Sequence, residues 1–246
     1  MQSIEAERLF SGLIGEEYEV LKCVCPAAAE MSRRVGEVVA GWRPGSPLAV
    51  FEIGCGTGIT TLALLLAGDA VSVTALDNEP AMLGQARRHL ADWVGQGRLH
   101  WVEADALSGL RALPDASVDV VASGYATHNF LQGYRDLVMA EVFRVLRPGG
   151  ALVNGDRYAL DDVIEHTRLT QQEVRGWFRA FADLGRADLL EQWVVHLFSD
   201  ESEGRIMRLG ASVDRLRDIG FEPVEVAFRE GVNTLLIAHK PVINDG

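Results

Sequence analysis

The chain of 246 residues is 48% hydrophobic and 24% charged, which is ordinary for a globular protein. Its 23 Lys and Arg against 35 Asp and Glu give a net charge of −12, which disfavours nonspecific nucleic-acid binding and favours a small-molecule partner. No apolar run is long enough to span a membrane and the N-terminus lacks a signal-peptide pattern, so we expect a cytoplasmic protein with no membrane partner. Composition leaves the oligomeric state unknown.

Residues 1–47 are predicted to form helices followed by a linker. Apolar residues recur at helical spacing after Pro26, and the segment 42–47 has the Pro and Gly content of a connection. Of the three cysteines, Cys23 and Cys25 fall in this region. We interpret them as packing residues, with metal or redox chemistry as the alternative, because three cysteines give neither a disulfide framework nor a four-ligand zinc pattern.

The segment 48–66 has the pattern of a strand, a glycine-rich turn and a helix. An apolar run ends at Ile53, the turn reads Gly54-Cys55-Gly56-Thr57-Gly58, and the apolar run Ile59–Leu66 follows. Glycines in such a turn allow positive φ and let a ligand approach the backbone. Glu52, just before the turn, would repel a diphosphate but suit a cationic ligand. The spacing also departs from that of a dinucleotide site, which would need glycine at Ile59. A tight turn without a ligand is the alternative.

Two further acidic residues follow predicted strands. Asp77 ends the second strand, 71–77, where a carboxylate can bind ribose hydroxyls; the alternative is that Asp77 or Asn78 caps the next helix, predicted over 79–94. Asp105 follows the third strand, 99–103, and its alternative is a turn-forming role.

The fourth strand, 118–122, leads into the segment from Ser123 to Phe130. This segment leaves the carboxyl end of a central strand, where doubly wound sheets bind ligands. His128 is our candidate general base because its unperturbed pKa of about 6.5 suits proton removal at neutral pH. The alternative is a histidine that shapes the pocket.

The remainder of the chain is predicted to complete the sheet around an insertion. A helix over 133–147 is stopped by Pro148, Gly149 and Gly150, and strand five covers 151–154. Two amphipathic helices over 162–183 and 186–198 are interpreted as a cap over the cleft. A helix near 205–219 and a hairpin over 221–239 close the chain.

These motifs together resemble the class I S-adenosylmethionine-dependent methyltransferases, whose first motif is an acidic residue followed by Gly-x-Gly-x-Gly. The resemblance implies an α/β, doubly wound, seven-stranded, mostly parallel sheet with the last strand antiparallel. Its predicted division is 1–47 helices and linker, 48–156 cofactor core, 157–204 helical cap and 205–246 C-terminal helix and hairpin.

The resemblance also implies a set of site residues. S-adenosylmethionine would be bound by Tyr18, Glu52, Gly54, Cys55, Gly56, Thr57, Gly58, Asp77, Asn78, Met82, Ala104, Asp105, Ala106 and Ser123. Apart from the resemblance, Arg157 and Tyr158 are expected to contact the acceptor because they start at the carboxyl end of strand five, and Tyr125 and His196 are further candidates, with a solvent-facing His196 as the alternative. His128 is the catalytic candidate, and no metal is expected because no acidic metal cluster is evident.

The implied reaction is in-line transfer of the sulfonium methyl group to a small-molecule nucleophile. Two alternatives stay open. The cap and Arg157-Tyr158 faintly resemble the carboxy-S-adenosylmethionine synthases of tRNA modification, and a noncatalytic cofactor-binding module is the other alternative.

Overall fold

The computed structural model describes residues 26–43 and 45–242. Its centre is a seven-stranded sheet with the spatial order β3-β2-β1-β4-β5-β7-β6. The strands are β1 (Leu48–Ile53), β2 (Val71–Asp77), β3 (Leu99–Glu103), β4 (Val118–Gly124), β5 (Leu146–Arg157), β6 (Val224–Glu230) and β7 (Asn233–His239). Neighbouring strands from β3 to β5 are parallel, and β7 is antiparallel to both β5 and β6. The expected fold class is therefore confirmed.

Helices cover both faces of this sheet. They are α1 (Pro26–Trp42), α2 (Ile59–Leu66), α3 (Pro80–His89), α4 (Ala91–Gly95), α5 (Ala106–Arg111), α6 (Gln132–Val145), α7 (Val163–Leu184), α8 (Ala187–Asp200) and α9 (Leu209–Ile219). Alternate residues of β1 belong to different cores: Val50 packs on the α1 and α2 side, whereas Phe51 and Ile53 pack on the α6 side. This two-sided burial explains why the parallel strands are almost continuously apolar.

The order of the strands reverses between β1 and β4. The chain runs outward from β1 through β2 to β3 and then returns to β4 on the other side of β1. Loops leaving the carboxyl ends of β1 and β4 therefore diverge, and this opening is where doubly wound sheets bind ligands.

Three predicted boundaries were wrong for local reasons. The helix expected over 79–94 is interrupted at Leu90, whose φ of −117° is not helical, and its cap is Glu79, not Asp77 or Asn78. Pro148 and the two glycines after it do not separate a helix from strand five; they lie inside β5, which pairs with β4 from Leu146 through an irregularity. The last long helix begins at Leu209 and not near 205.

The cap helices agree with the prediction to within two residues. α7 begins at Asp162, whose carboxylate accepts hydrogen bonds from the backbone N–H groups of Ile164 and Glu165, and ends at Gly185 in the left-handed region. α7 and α8 have their own apolar core, which contains Trp177, Phe181 and Trp193. The division of the chain into four segments stays a prediction.

Among the described residues, no helix combines the length and apolar character that crossing a bilayer requires.

Candidate functional site

A cleft of about 1110 Å³, part of it open to solvent, lies at the carboxyl ends of β1, β2 and β4. Ten of the predicted site residues line it, namely Gly54, Cys55, Gly56, Thr57, Asp77, Asn78, Met82, Ala104, Ala106 and Tyr125. With Ala104 and Ala106, which follow β3, residues from four strand ends thus meet at one cavity, as expected for strands that end at the same edge of a sheet.

The glycine-rich turn 54–58 forms one wall of the cleft and depends on the absence of side chains. Gly54 has φ +69°, and a Cβ there would lie 2.4 Å from the Cβ of Ala126. Gly58 has φ +92° and precedes the first turn of α2. Side chains at these two positions would be strained and would clash, so the turn must keep bare backbone beside the cleft.

Asp77 connects the turn to the end of β2. One carboxylate oxygen accepts from the backbone N–H of Gly56 at 2.7 Å, and the other accepts from that of Glu79 at 2.8 Å. Burial raises the pKa of Asp77, and these two hydrogen bonds oppose the increase. Because a carboxylate offers about four acceptor positions, it can accept further hydrogen bonds from the cleft.

Glu52 is fully buried and does not line the cleft. Thr61 donates a hydrogen bond of 2.6 Å to Glu52 Oε2, whereas Oε1 has no hydrogen-bond partner among the described residues. Burial raises the pKa of Glu52 to about 8, and the hydrogen bond from Thr61 opposes this only in part. An orphaned carboxylate oxygen of this kind is an acceptor for a cationic group.

Asp105 caps α5 and does not line the cleft. Its Oδ1 accepts from the backbone N–H of Ser108 at 3.1 Å and from the hydroxyl of Tyr134 at 2.7 Å. Although burial opposes ionisation, these hydrogen bonds hold the pKa of Asp105 below its usual range. The turn-forming role is therefore present in the structure, and the role toward adenine stays a prediction.

His128 lies in a 3₁₀ turn, Thr127–Asn129, directly after β4. Its Nδ1 is 2.5 Å from Asp156 Oδ1 at the end of β5, and its Nε2 is 3.8 Å from Asp200 Oδ2 on α8. His196 Nε2 lies 3.5 Å from the same oxygen of Asp200. We call these four residues (His128, Asp156, His196 and Asp200) the histidine–carboxylate cluster. All four are buried.

The charges in this cluster are strongly coupled. Burial opposes protonation of His128, but the negative charge and hydrogen bond of Asp156 prevail and raise its pKa above the ordinary value. Burial lowers the pKa of His196 to about 3, with a further contribution from His128, and burial raises that of Asp200 to about 6. The raised pKa makes neutral His128 a stronger base. It also means that a smaller fraction of the molecules has His128 in the neutral form that can accept a proton.

Arg157 and Tyr158 do not line the cleft. The Arg157 guanidinium forms ion pairs with Glu173 at 2.7 Å and Glu201 at 3.0 Å, so its charge is neutralised within the cap. Tyr158 packs in the core, and its hydroxyl accepts a hydrogen bond of 2.8 Å from Asn154. Their roles toward the acceptor stay predictions that gain no support from this arrangement.

The other predicted residues are placed as follows. Gly58, the last residue of the turn, does not line the cleft, and the buried Ser123 donates to the carbonyl oxygen of Ile53 at 3.1 Å. Tyr18, Cys23 and Cys25 lie outside the described residues.

Several residues that line the cleft were not predicted from the sequence. They include Ser32, Thr60, Glu79, Asn129, Tyr134 and Arg205. Arg205 donates a hydrogen bond of 2.6 Å to the carbonyl oxygen of Asn129 and brings a cation to the cleft. Asp156 and Asp200 were missed as well, although strand-end placement signals the first and the i, i+4 spacing from His196 signals the second.

Arg135 on α6 joins two loops at this end of the cleft. Its buried guanidinium donates to the carbonyl oxygens of Thr127 at 3.0 Å, Phe130 at 2.7 Å and Arg205 at 2.6 Å. The loop that carries His128 and the loop that carries Arg205 are therefore held by one side chain.

Comparison with known proteins agrees with this geometry. Residues 50–150 match the model of a methyltransferase domain family. Carboxy-S-adenosyl-L-methionine synthase of Cronobacter sakazakii is 26% identical over 186 residues, which cover 73% of this chain and 70% of the relative. The corresponding protein of Photorhabdus laumondii is 26% identical over 203 residues, or 78% of this chain and 73% of the relative.

The fold also has solved relatives. An O-methyltransferase family protein from Burkholderia thailandensis matches with a TM-score of 0.62 and 18% identity; the match covers 88% of this chain and 58% of that chain. At this identity the likeness concerns the fold alone. Together with the family match, which covers residues 50–150, it indicates a methyltransferase domain in this part of the chain.

Proposed function

We propose that this protein transfers the methyl group of S-adenosylmethionine to a small-molecule acceptor. The observation that carries the proposal is the cleft between the glycine-rich turn 54–58, Asp77 and the segment after β4. It is open, whereas a blocked cleft would have favoured a noncatalytic module.

Two features of the structure fit the cofactor. The turn keeps bare backbone at Gly54, where a Cβ would clash with Ala126, so a ligand can approach closely. The orphaned Oε1 of Glu52 is an acceptor for an ammonium group, reached directly or through a water molecule. Burial favours the protonated form of Glu52, and a nearby cation would shift it back toward the carboxylate form.

The ribose and adenine groups of the cofactor would be bound by residues that line the cleft at the ends of β2 and β3. Asp77 would accept hydrogen bonds from the two ribose hydroxyls with the acceptor positions that Gly56 and Glu79 leave available. Ala104 and Ala106 line the cleft beside Asp105, and the backbone there would contact adenine.

When bound, S-adenosylmethionine supplies a methyl carbon that is already electrophilic, so the protein's tasks are alignment and exclusion of water. Tyr125 forms the cleft wall where the acceptor would lie, and its ring makes an edge contact with His128 at 5.9 Å between centroids. If the attacking group is a hydroxyl or a protonated amine, His128 would take its proton while Asp156 holds Nδ1.

The proposal can be tested by incubating the protein with methyl-labelled S-adenosylmethionine and the small-molecule fraction of a bacterial extract. Mass spectrometry should detect a labelled acceptor together with S-adenosylhomocysteine. The Asp77→Asn variant is the matched control because it keeps the side-chain shape but loses the carboxylate, and it should give much less of both. Capture of a nicotinamide or flavin, with no response to S-adenosylmethionine, would contradict the proposal.

A second candidate function is synthesis of a carboxylated S-adenosylmethionine. The name of the curated relatives favours it, and so does Arg205, a cation that lines the cleft and could bind a carboxylate. The same experiment separates the two candidates. In this activity the sulfonium methyl group would lose a proton and gain a carboxyl group from a carboxylic-acid donor in the extract, so the cofactor would return heavier by the mass of CO₂ and no S-adenosylhomocysteine would be released.

A further inference from the structure

Three side chains of the histidine–carboxylate cluster place atoms that can bind a metal ion close to one another. His128 comes from the turn after β4, while His196 and Asp200 stand one helical turn apart on α8. One ligand atom from each lies within 4.8 Å of those from the other two, and all three residues are buried. They come together although 68 residues separate His128 from His196 in the sequence (196 minus 128).

The separations are close to those of a zinc site. Asp200 Oδ2 is 3.5 Å from His196 Nε2 and 3.8 Å from His128 Nε2. Two ligands bound at about 2.1 Å to a tetrahedral ion lie about 3.4 Å apart. Both separations from Asp200 are therefore within about 0.4 Å of the tetrahedral value, and the two histidine ligand atoms lie within 4.8 Å of each other.

The outer partner of His128 supports the same interpretation. Its Nδ1 contacts Asp156 Oδ1 at 2.5 Å. Because an ionised carboxylate only accepts hydrogen bonds, the neutral imidazole would carry its proton on Nδ1, and Nε2, which lies on the side of Asp200, would then be free to bind a metal. Asp156 is itself held by the backbone N–H of Thr127 at 2.9 Å and by its hydroxyl at 2.7 Å. A carboxylate on the far nitrogen is the usual outer contact of a metal-bound histidine.

Asp200 provides an independent observation. Its side chain is 7% exposed, and its Oδ1 has no hydrogen-bond partner in residues 26–43 and 45–242. The distances from its Oδ2 to the two histidines are longer than normal hydrogen bonds. A buried carboxylate without close partners is costly, and a bound cation would offset this cost.

We propose that His128, His196 and Asp200 bind one divalent transition-metal ion of the zinc class, with the fourth coordination position available to an oxygen atom of the acceptor. Two imidazoles and a carboxylate are a ligand set that zinc uses in sites with an open position. This proposal departs from the sequence-based expectation of no metal. The role of the fourth ligand rests on the proposed function, but ion binding does not.

The metal role and the general-base role of His128 are alternatives, because a metal on Nε2 occupies the lone pair that would accept a proton. None of the three ligand residues lines the cleft, but Asn129, which follows His128, does, so the ion would lie directly behind this part of the cleft wall. An acceptor hydroxyl that reached the open position would be activated by the ion as a Lewis acid.

The test uses full-length protein without a polyhistidine tag, freed of metal by dialysis against a chelator and titrated with Co²⁺. Its visible absorption reports binding to imidazole and carboxylate ligands. We expect one ion per chain, displacement by Zn²⁺, and a rise in melting temperature when Zn²⁺ is added. The same titration in the Cys23→Ser/Cys25→Ser background should give the same result.

The decisive comparison is among variants. His196→Ala and the isosteric Asp200→Asn should each weaken Co²⁺ binding at least tenfold, while His89→Ala, which removes an exposed histidine of α3, should leave it unchanged. Circular dichroism confirms that each variant is folded. Absence of stoichiometric Co²⁺ binding, or equal binding by Asp200→Asn and His89→Ala, would overturn the proposal.

Calorimetry with S-adenosylmethionine on the metal-free protein separates this proposal from the proposed function. Cofactor binding without Co²⁺ binding would overturn the metal site alone. Co²⁺ binding without cofactor binding would overturn the function alone.

Discussion

The two ends of the cleft satisfy their polar groups in different ways. At the donor end, formed by the glycine-rich turn 54–58 and Asp77, carboxylate oxygens are bound by backbone N–H groups only 2 and 21 residues away. At the acceptor end, where the histidine–carboxylate cluster and Arg157 lie behind the residues that line the cleft, side chains also pair with side chains from other elements, such as Arg157 with Glu201, 44 residues away. The donor end therefore depends on local backbone geometry, and the acceptor end on packing of the cap against the sheet.

This contrast predicts that substitutions at the acceptor end should change turnover most. His128→Ala should lower kcat roughly 100-fold or more, the scale of a lost acid–base group, whether the imidazole acts as a base or as a metal ligand. Its affinity for S-adenosylmethionine should stay near that of the unmodified protein, because His128 does not line the donor end. Steady-state kinetics and calorimetry measure the two quantities, and full activity would remove His128 from the mechanism.

The buried ion pairs of the acceptor end should matter for stability. Arg157→Ala removes the guanidinium from Glu173 and leaves Glu201 with His166 as its ion-pair partner, and it should lower the free energy of unfolding by about 3 kcal/mol. Arg186→Ala is the matched control, since it removes a more exposed pair with Asp188 and should change the free energy of unfolding much less. Denaturant unfolding measures both, and equal losses would show that burial does not distinguish the two pairs.

At the donor end, the largest effect should be on cofactor affinity. Asp77→Ala should weaken binding of S-adenosylmethionine by about 1–3 kcal/mol, the scale of a lost partner to buried polar groups. Asp69→Ala, at a fully exposed carboxylate after α2, is the control and should have no effect. Unchanged affinity of Asp77→Ala by calorimetry would refute its ribose role.

Glu52 offers a smaller, pH-dependent effect at the same end. Its pKa is about 8 in the folded protein against about 4.3 in an unfolded chain, so between these values the folded state binds more protons. The free energy of unfolding of the cofactor-free protein should therefore fall as pH rises from 5 to 8, with a Glu52 contribution of about 1 kcal/mol per pH unit. Glu52→Gln should remove that contribution, and identical pH profiles for the two proteins would contradict the assignment.

The donor end was easier to predict from the sequence than the acceptor end, because it depends on local backbone geometry and the acceptor end depends on how the cap packs on the sheet. Gly54 and Asp77 could be found from the sequence because strand, turn and strand end occur in fixed order along a short stretch. Asp200 could not be paired with His128 in advance, because their contact depends on how α8 packs on the turn after β4, which no local pattern specifies. The predicted acceptor role of Arg157 overlooked Glu173 and Glu201 for the same reason.

The strand boundaries show the same limit. Pro148 and Gly149 read locally as a helix stop, and α6 does end before them. Strand five nevertheless begins before them, because Leu146 pairs with Val118 of β4, and the pairing resumes at Ala151 after an irregularity. Backbone partners from distant strands override a local preference for a turn.

Arg135 has a consequence for how this enzyme could acquire new acceptors. Because one guanidinium binds carbonyl oxygens of both the 127–130 and 205 loops, neither loop can be remodelled alone without leaving a buried donor unsatisfied. We therefore expect substrate specificity to change through substitutions of side chains on these loops, while the backbone conformation of the loops stays the same.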